Sequence, residues 1–381
     1  MLAKPTRNLA LELVRVTEAA ALAAGRYIGR GDKEAVDRAA VTAMRHLLRT
    51  VRMDGTVVIG EGEKDSAPML FCGERVRTGD PPEVDIAVDP VDGTTPLAMG
   101  NLNAISTVAL APRGTMYDPG PFMYMNKIAV GPAVRGKIDI NAPVADNLAA
   151  VAEAKGDSVR DLTVVILNRP RHEALVSEVR AAGARIRLIP ACDVAAALMT
   201  AREESHIDIL LGIGGTPEAV LAACALRAMG GEIQCRLVAR NDAERHAGEA
   251  LGYRLDRVLT HDDLVASEDV FFAATGVTDG ELLRGVKYSG QGAVIESLVV
   301  RGLTGTVRQI TAIHQLDKIK EISGVDYSAI SGPHFHRPIV PFYPRPWRHT
   351  RIWRRVETTD RDTVSLAQLH GKLSDELAWS C

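Results

Sequence analysis

The chain has 381 residues, with 45 basic and 48 acidic side chains, a net charge of −3 and 46% apolar residues. That is long enough for two domains or one large layered domain with an ample core, and its balance excludes wholesale disorder and a chain-wide polyanion-binding surface. Five cysteines without a C-x-x-C spacing indicate neither a disulfide framework nor a zinc cluster. No signal-type stretch opens the chain and no apolar run reaches membrane-spanning length, so a soluble cytoplasmic protein is expected.

In chain order, Leu9, Leu13, Val16, Ala20 and Ala24 recur at helical spacing, with Gly29 and Gly31 ending the helix. A second helix is predicted from about Asp32, with Val36, Ala40, Met44, Leu47 and Val51 on one face. β-Branched runs at 56–59 and 84–88, then 104–111, 127–130 and 137–140, read as strands. From about residue 160, strand-like runs at 163–167, 185–189, 208–212, 233–238 and 270–275 alternate with helix-like runs at 171–182, 193–202, 217–229 and 241–251. Runs at 286–289, 293–300 and 306–312 close the pattern as strands. This alternation predicts an α/β layered architecture, with subdomains at 1–160 and 161–324 and an atypical tail at 325–381.

Residues 333–355 differ in kind, holding five Pro, six Arg, three His and five aromatics with no acid. Regular structure is excluded there by the prolines. An extended surface segment explains the composition better than a single-strand-binding element, because nothing else in the chain reads as nucleic-acid recognition. Two Gly-rich stretches are set aside. Gly131 to Lys137 has phosphate-loop spacing but Ile138 where a hydroxyl should follow. Gly212, Gly214 and Gly215 approach a dinucleotide fingerprint but Pro217 breaks it.

The strongest chemical signal is Asp89-Pro90-Val91-Asp92-Gly93-Thr94. An apolar strand leads into Asp89, Pro90 is expected to turn the chain, and a helix can start at Thr94–Pro96. That places two carboxylates and a hydroxyl at a strand end, beside backbone N–H groups suited to a phosphate oxygen. Glu61, Glu63 and Asp65 follow another strand end, and Lys33 and Asp37 share a helix face. Gly214-Gly215-Thr216-Pro217-Glu218 again joins a strand to a helix start. A capping role would account for any one of these acids. Several at neighbouring strand ends are better explained by a hard cation such as Mg²⁺ or Mn²⁺ that offsets their repulsion.

Together these residues resemble the class II fructose-1,6-bisphosphatases, with their sedoheptulose-bisphosphatase relatives, in the lithium-sensitive sugar and inositol phosphatase superfamily. The resemblance is also carried by Gly29 to Lys33, Val58 to Glu63, Ala67 to Leu70, Met123 to Met125 with Lys127, Pro170 to His172, Gly212 to Glu218 and Ala274 to Val277, and it runs from about residue 8 to 322. It implies a sugar-phosphatase αβαβα sandwich with mixed sheets, and hydrolysis of the 1-phosphate of a sugar bisphosphate by in-line attack of a metal-activated water. It also implies metal ligation by Asp37, Glu61, Asp89, Asp92 and Glu218, catalysis by Lys33, Asp65 and Thr94, and substrate contacts from Gly93, Thr94, Tyr124, Arg169, Arg171, Asp193 and Gly215. A homodimer or homotetramer acting on a small sugar phosphate, with no nucleic-acid or membrane partner, is implied as well.

The chain departs from the family pattern at Ala191 and Cys192, where Asp and Gly are usual, and at Arg38 and Pro96. Every acid of the implied metal set is present, while the changes fall mainly on the sugar side. A paralogue acting on another sugar or cyclitol phosphate is the alternative these changes raise. A non-catalytic sugar-phosphate binder is a third reading, and the intact Thr94 and Asp65 count against it.

Overall fold

The structure is a computed structural model that describes residues 8–61, 69–290 and 292–323, together with Val325 and Tyr327. The chain divides into units at 1–339 and 340–381, and the described residues all belong to the first. Helices α1 (Ala10–Gly25) and α2 (Lys33–Leu48) open it. Asp32 caps α2, its carboxylate accepting the Ala35 N–H at 2.9 Å. Next come β1 (Asp54–Ile59), β2 (Arg75–Arg77), β3 (Glu83–Asp92), α3 (Thr94–Ala98), β4 (Ile105–Pro112) and β5 (Tyr124–Val130). The alternating section holds α4 (Val144–Lys155), β6 (Thr163–Leu167), α5 (Glu173–Ala182), β7 (Arg185–Ile189), α6 (Asp193–Met199), β8 (Ile209–Gly215), α7 (Thr216–Met229), β9 (Glu232–Val238) and α8 (Asp242–Ala250). The chain then passes through β10 (Leu259–Thr260), α9 (His261–Leu264), β11 (Phe271–Gly276), β12 (Lys287–Ser289), β13 (Gly292–Arg301), β14 (Thr306–Gln315) and α10 (Leu316–Ser323).

Two mixed sheets result. The first runs β12-β13-β11-β4-β3-β1-β2, with β14 also paired to β13; the second runs β10-β9-β5-β8-β6-β7. β1 and β3 are parallel, as are β8, β6 and β7, and the other pairings are antiparallel. Among the described residues, three apolar clusters fill the space between the layers. α1 and α2 pack on one face of the first sheet, around Leu13, Met44, Ile86 and Leu110. α7 lies between the sheets and contacts β3, β4 and β11 on one side and β5, β8 and β9 on the other. Its Ala- and Leu-rich sequence is accordingly buried on nearly every side. α4 and α5 cover the second sheet over Leu148, Val164 and Ile166. The layered α/β reading therefore holds, as two mixed sheets with helices outside and between them.

Some expected elements differ. Residues 137–140 form no strand, because side chains occupy their backbone donors: Asn147 Oδ1 accepts from Asp139 N–H and Gln234 Oε1 from Ile140 N–H, both at 2.9 Å. Pro90 does not turn the chain. β3 continues through it with a register shift against β4 between Asp89 and Asp92, a place where a missing N–H costs no regular ladder bond. The turn falls at Gly93, whose φ of +100° is open to a glycine and strained for other residues. α4, β2, β10, α9 and α10 had no counterpart among the expected elements. The basic segment at 333–355 lies outside the described residues.

Candidate active site

Strand and helix ends from both sheets meet at the carboxylates. β3 delivers Asp89 and Asp92, β1 runs into Glu61, α2 carries Lys33 and Asp37 one turn apart, and α7 begins with Glu218 in its first turn. Asp92 is buried, and its Oδ2 accepts the Val194 N–H at 3.3 Å at the start of α6. Burial raises the Asp92 carboxyl well above the ordinary carboxylate range, and the charges of Asp193 and Glu218 raise it further. Burial and the charges of Asp92, Glu61 and Glu218 do the same to Asp89, against the 3.0 Å bond it accepts from Val91 N–H. Burial of its carboxylate pushes Glu61 up to about 7, and the charges of Asp37 and Glu218 add to this, although the residue as a whole keeps solvent access. Burial raises Asp37, while the Thr94 hydroxyl and Lys33 pull it down.

These interactions make one charge-coupled group of Asp37, Glu61, Asp89, Asp92 and Glu218. Among the described residues no three His, Cys, Asp or Glu side chains converge on a single ready-made ion position. The donor set nonetheless suits a hard divalent cation, being all carboxylate. Glu218 Oε2 is buried without a hydrogen-bond partner among the described residues, the condition expected of an oxygen with a further ligand to take.

Beside the acids is a cleft of about 330 Å³ lined by Lys33, Gly93, Thr94, Asn101, Arg169 and Ala191, among others. The Thr94 hydroxyl lies 3.2 Å from the Val91 carbonyl and also reaches Asp37. Arg171 donates from Nε and Nη2 to the Ile213 carbonyl at 3.2 and 2.8 Å, and its guanidinium stands 5.1 Å from the Tyr124 ring centre. Tyr124 pairs across the sheet with Gly215. His172 fixes this corner: its Nε2 accepts Ile213 N–H at 2.7 Å while Nδ1 donates to the Leu167 carbonyl at 2.7 Å, and burial keeps the ring on the neutral side. Lys33, Asp37, Glu61, Asp89, Asp92, Gly93, Thr94, Tyr124, Arg169, Arg171, Asp193, Gly215 and Glu218 thus sit at or beside one site. Asp65 lies outside the described residues.

Asp193 opens helix α6. It is buried, and its Oδ2 accepts from Lys127 Nζ at 2.8 Å. Lys127, its partner, has no role assigned from the sequence. It is 3% exposed in the central strand β5. Burial alone would depress its ammonium, but Asp193 and Glu218 beside it hold it above the ordinary lysine range. The signal was a lone cation in the strand Tyr124–Val130, which ends in the apolar run Ile128-Ala129-Val130. Gly214 makes room for the pair: a Cβ there would lie 2.1 Å from Asp193 Oδ2 and 2.8 Å from Lys127 Nζ. Cys192, at φ +71°, packs its Sγ where a Cβ on Gly93 would be, and donates to the Asp92 carbonyl at 3.4 Å. Burial and the neighbouring carboxylates push this thiol far above its ordinary range, so it is a packing group rather than a nucleophile.

Carboxylates, a hydroxyl and guanidinium groups are thus gathered at the strand ends of a layered α/β chain, and its relatives define the class as phosphoric monoester hydrolases. Residues 7–314 match the family described as bacterial fructose-1,6-bisphosphatase, glpX-encoded, and the chain belongs to that family. It is 47% identical over 325 residues to fructose-1,6-bisphosphatase 1 class 2 of Escherichia coli strain K12, covering 82% of this chain and 96% of the relative. The class 2 fructose-1,6-bisphosphatases of Escherichia coli O6:H1 and Shigella flexneri match with the same identity and coverage.

Proposed function

We propose that the chain hydrolyses the 1-phosphate of fructose 1,6-bisphosphate, with Mg²⁺ or Mn²⁺ held by Asp37, Glu61, Asp89, Asp92 and Glu218. The observation that carries this reading is the crowding of five carboxylates, each near others of like charge, directly beside a cleft with Lys33, Arg169 and Thr94 on its wall. A bound divalent cation would supply water activation and charge neutralisation at the phosphate.

The chain's own residues do the rest. The Thr94 hydroxyl can give its proton to Asp37 or to the Val91 carbonyl, which leaves its oxygen to accept from the attacking water and orient it. Lys33 and Arg169 face the cleft and balance phosphate charge, Arg through a bidentate fork. Arg171 uses one N–H each of Nε and Nη2 on Ile213, so both N–H groups of Nη1 and the second of Nη2 are left for a phosphate oxygen. Tyr124, beneath that guanidinium, offers a phenol to a phosphate or sugar oxygen.

A second reading, a different sugar phosphate, is favoured by Ala191, which lines the cleft with a methyl group where an acid would grip a hydroxyl. The test is phosphate release from fructose 1,6-bisphosphate, sedoheptulose 1,7-bisphosphate and several monophosphates with Mn²⁺, Mg²⁺ or chelator. Turnover of none of them, with calorimetry showing metal bound, ends both readings. Preference for another compound by tenfold or more selects the second.

A further inference from the structure

The strand end that presents Glu61 is not held by strand pairing alone. Val57 N–H donates to the Glu74 carbonyl at 2.9 Å, Gly73 N–H to the Val57 carbonyl at 2.7 Å, and Glu61 N–H to the Leu70 carbonyl at 2.9 Å. Residues 57–61 and 70–74 are thereby zipped together, and Glu61 has its backbone fixed by Leu70. Leu70 is fully buried in a left-handed conformation, φ +56°, which a leucine holds only when its surroundings over-determine it. A side chain is one of the groups that hold it. Glu74 is 6% exposed, and its Oε2 accepts the Leu70 N–H while Oε1 accepts from Arg45 Nε at 2.6 Å. Arg45 belongs to the last turn of α2, the helix whose first turns carry Lys33 and Asp37.

We propose that Glu74 is a positioning residue for the hydrolysis: its buried carboxylate ties α2, with Lys33 and Asp37, to the backbone that presents Glu61, and so sets the spacing between the two halves of the carboxylate group. The proposal rests on the reading of Glu61 as a metal ligand. The chemistry of the tie is specific. A carboxylate offers two acceptor oxygens to two donors on different elements, one of them charged, and such charge-assisted bonds are the short, strong ones. An amide at the same position puts an NH2 donor where one of the two acceptor oxygens stands, so that in the same rotamer either Leu70 N–H or Arg45 Nε faces a donor. Groups that orient a ligand without touching the ion alter affinity or activity by about 10–100-fold when changed.

The experiment compares Glu74→Gln, Glu61→Gln and the double variant with the full-length wild type. It reads the Mn²⁺ Kd by calorimetry, kcat and KM with fructose 1,6-bisphosphate, and thermal unfolding, all binding and kinetics well below each melting temperature. Expected for Glu74→Gln is an Mn²⁺ Kd raised about tenfold and kcat lowered about tenfold, with KM within twofold. On the Glu61→Gln background the same change should cost less than about twofold, because Glu74 acts through Glu61. Should Glu74→Gln lower only the melting temperature, with Kd and kcat at wild-type values, the tie is structural and the positioning role is overturned while the site reading stands. Full additivity of the two changes also overturns it. Wild-type Kd and kcat in Glu61→Gln removes the ligand reading, and the positioning role with it. If Glu74→Gln does not fold, Arg45→Lys, which keeps a charge but shifts the donor, carries the same expectations at reduced size.

Discussion

Replacing Lys127 by methionine removes an ammonium that is 3% exposed and lies 2.8 Å from Asp193 Oδ2, while keeping a chain of nearly the same volume. Asp193 remains, itself 7% exposed, with Asp92 and Glu218 as charged neighbours. Breaking a buried pair from one side strands the other charge and costs about 3–5 kcal/mol. At about 2 °C per kcal/mol for a chain of this size, the melting temperature should fall by roughly 6–10 °C. Lys127→Met combined with Asp193→Asn leaves no stranded charge and should regain most of that loss, ending within about 1–2 kcal/mol of wild type. The assay is urea and thermal unfolding followed by circular dichroism, with chelator present. Added Mn²⁺ should then raise the melting temperature of Lys127→Met more than that of wild type, since a cation among the same carboxylates takes over part of the lost compensation. A single-variant loss below about 1 kcal/mol, or a double variant less stable than the single, would refute the view that Lys127 compensates buried acid.

Other expectations follow from the same geometry. Thr94→Ala should lower kcat about 10²-fold or more with the circular dichroism spectrum unchanged, and Thr94→Ser should keep most of the activity; an active Thr94→Ala would remove the hydroxyl from the mechanism. Gly214→Ala forces a methyl to 2.1 Å from Asp193 Oδ2 and should cost about 1–3 kcal/mol in urea unfolding. Glu61 and Glu18 are both pushed up to about 7, and Asp89, Asp92 and Glu218 are raised as well. Folding therefore takes up protons at these sites, and the stability they contribute is present at low pH and lost as pH rises from about 4.5 through 7. The chelated protein should accordingly melt higher at pH 5.5 than at pH 8 as far as these groups govern it, with Mn²⁺ shrinking or reversing the difference; a flat profile in chelator would refute the crowding. Native-state alkylation read by peptide mass spectrometry should modify exposed Cys72 and spare buried Cys192, Cys224 and Cys235.

Much of this protein was legible in one dimension because the signals were local. α2 is announced by Asp32 and the spacing of Val36, Ala40 and Met44, and β6 and β7 occupy the runs 163–167 and 185–189. Periodicity and capping are properties of a few adjacent residues, so they survive without the fold. The acids of the site were legible for a related reason: carboxylates placed just past apolar runs are costly unless something offsets them.

Sequence alone thus determined the layered α/β class, most element positions, and the Asp, Glu and Thr residues that belong together. Only the tertiary structure decided which strands share a sheet, carrying the chain from β4 to the second sheet and back to β11. It alone decided that Pro90 stays within a strand, that Asp193 faces Lys127 66 positions away, and that Glu74 joins Arg45 to Leu70. The reason is physical. Whether a buried charge is tolerated depends on which opposite charge the fold carries to within hydrogen-bond reach, and that distance in space has no local trace in the chain.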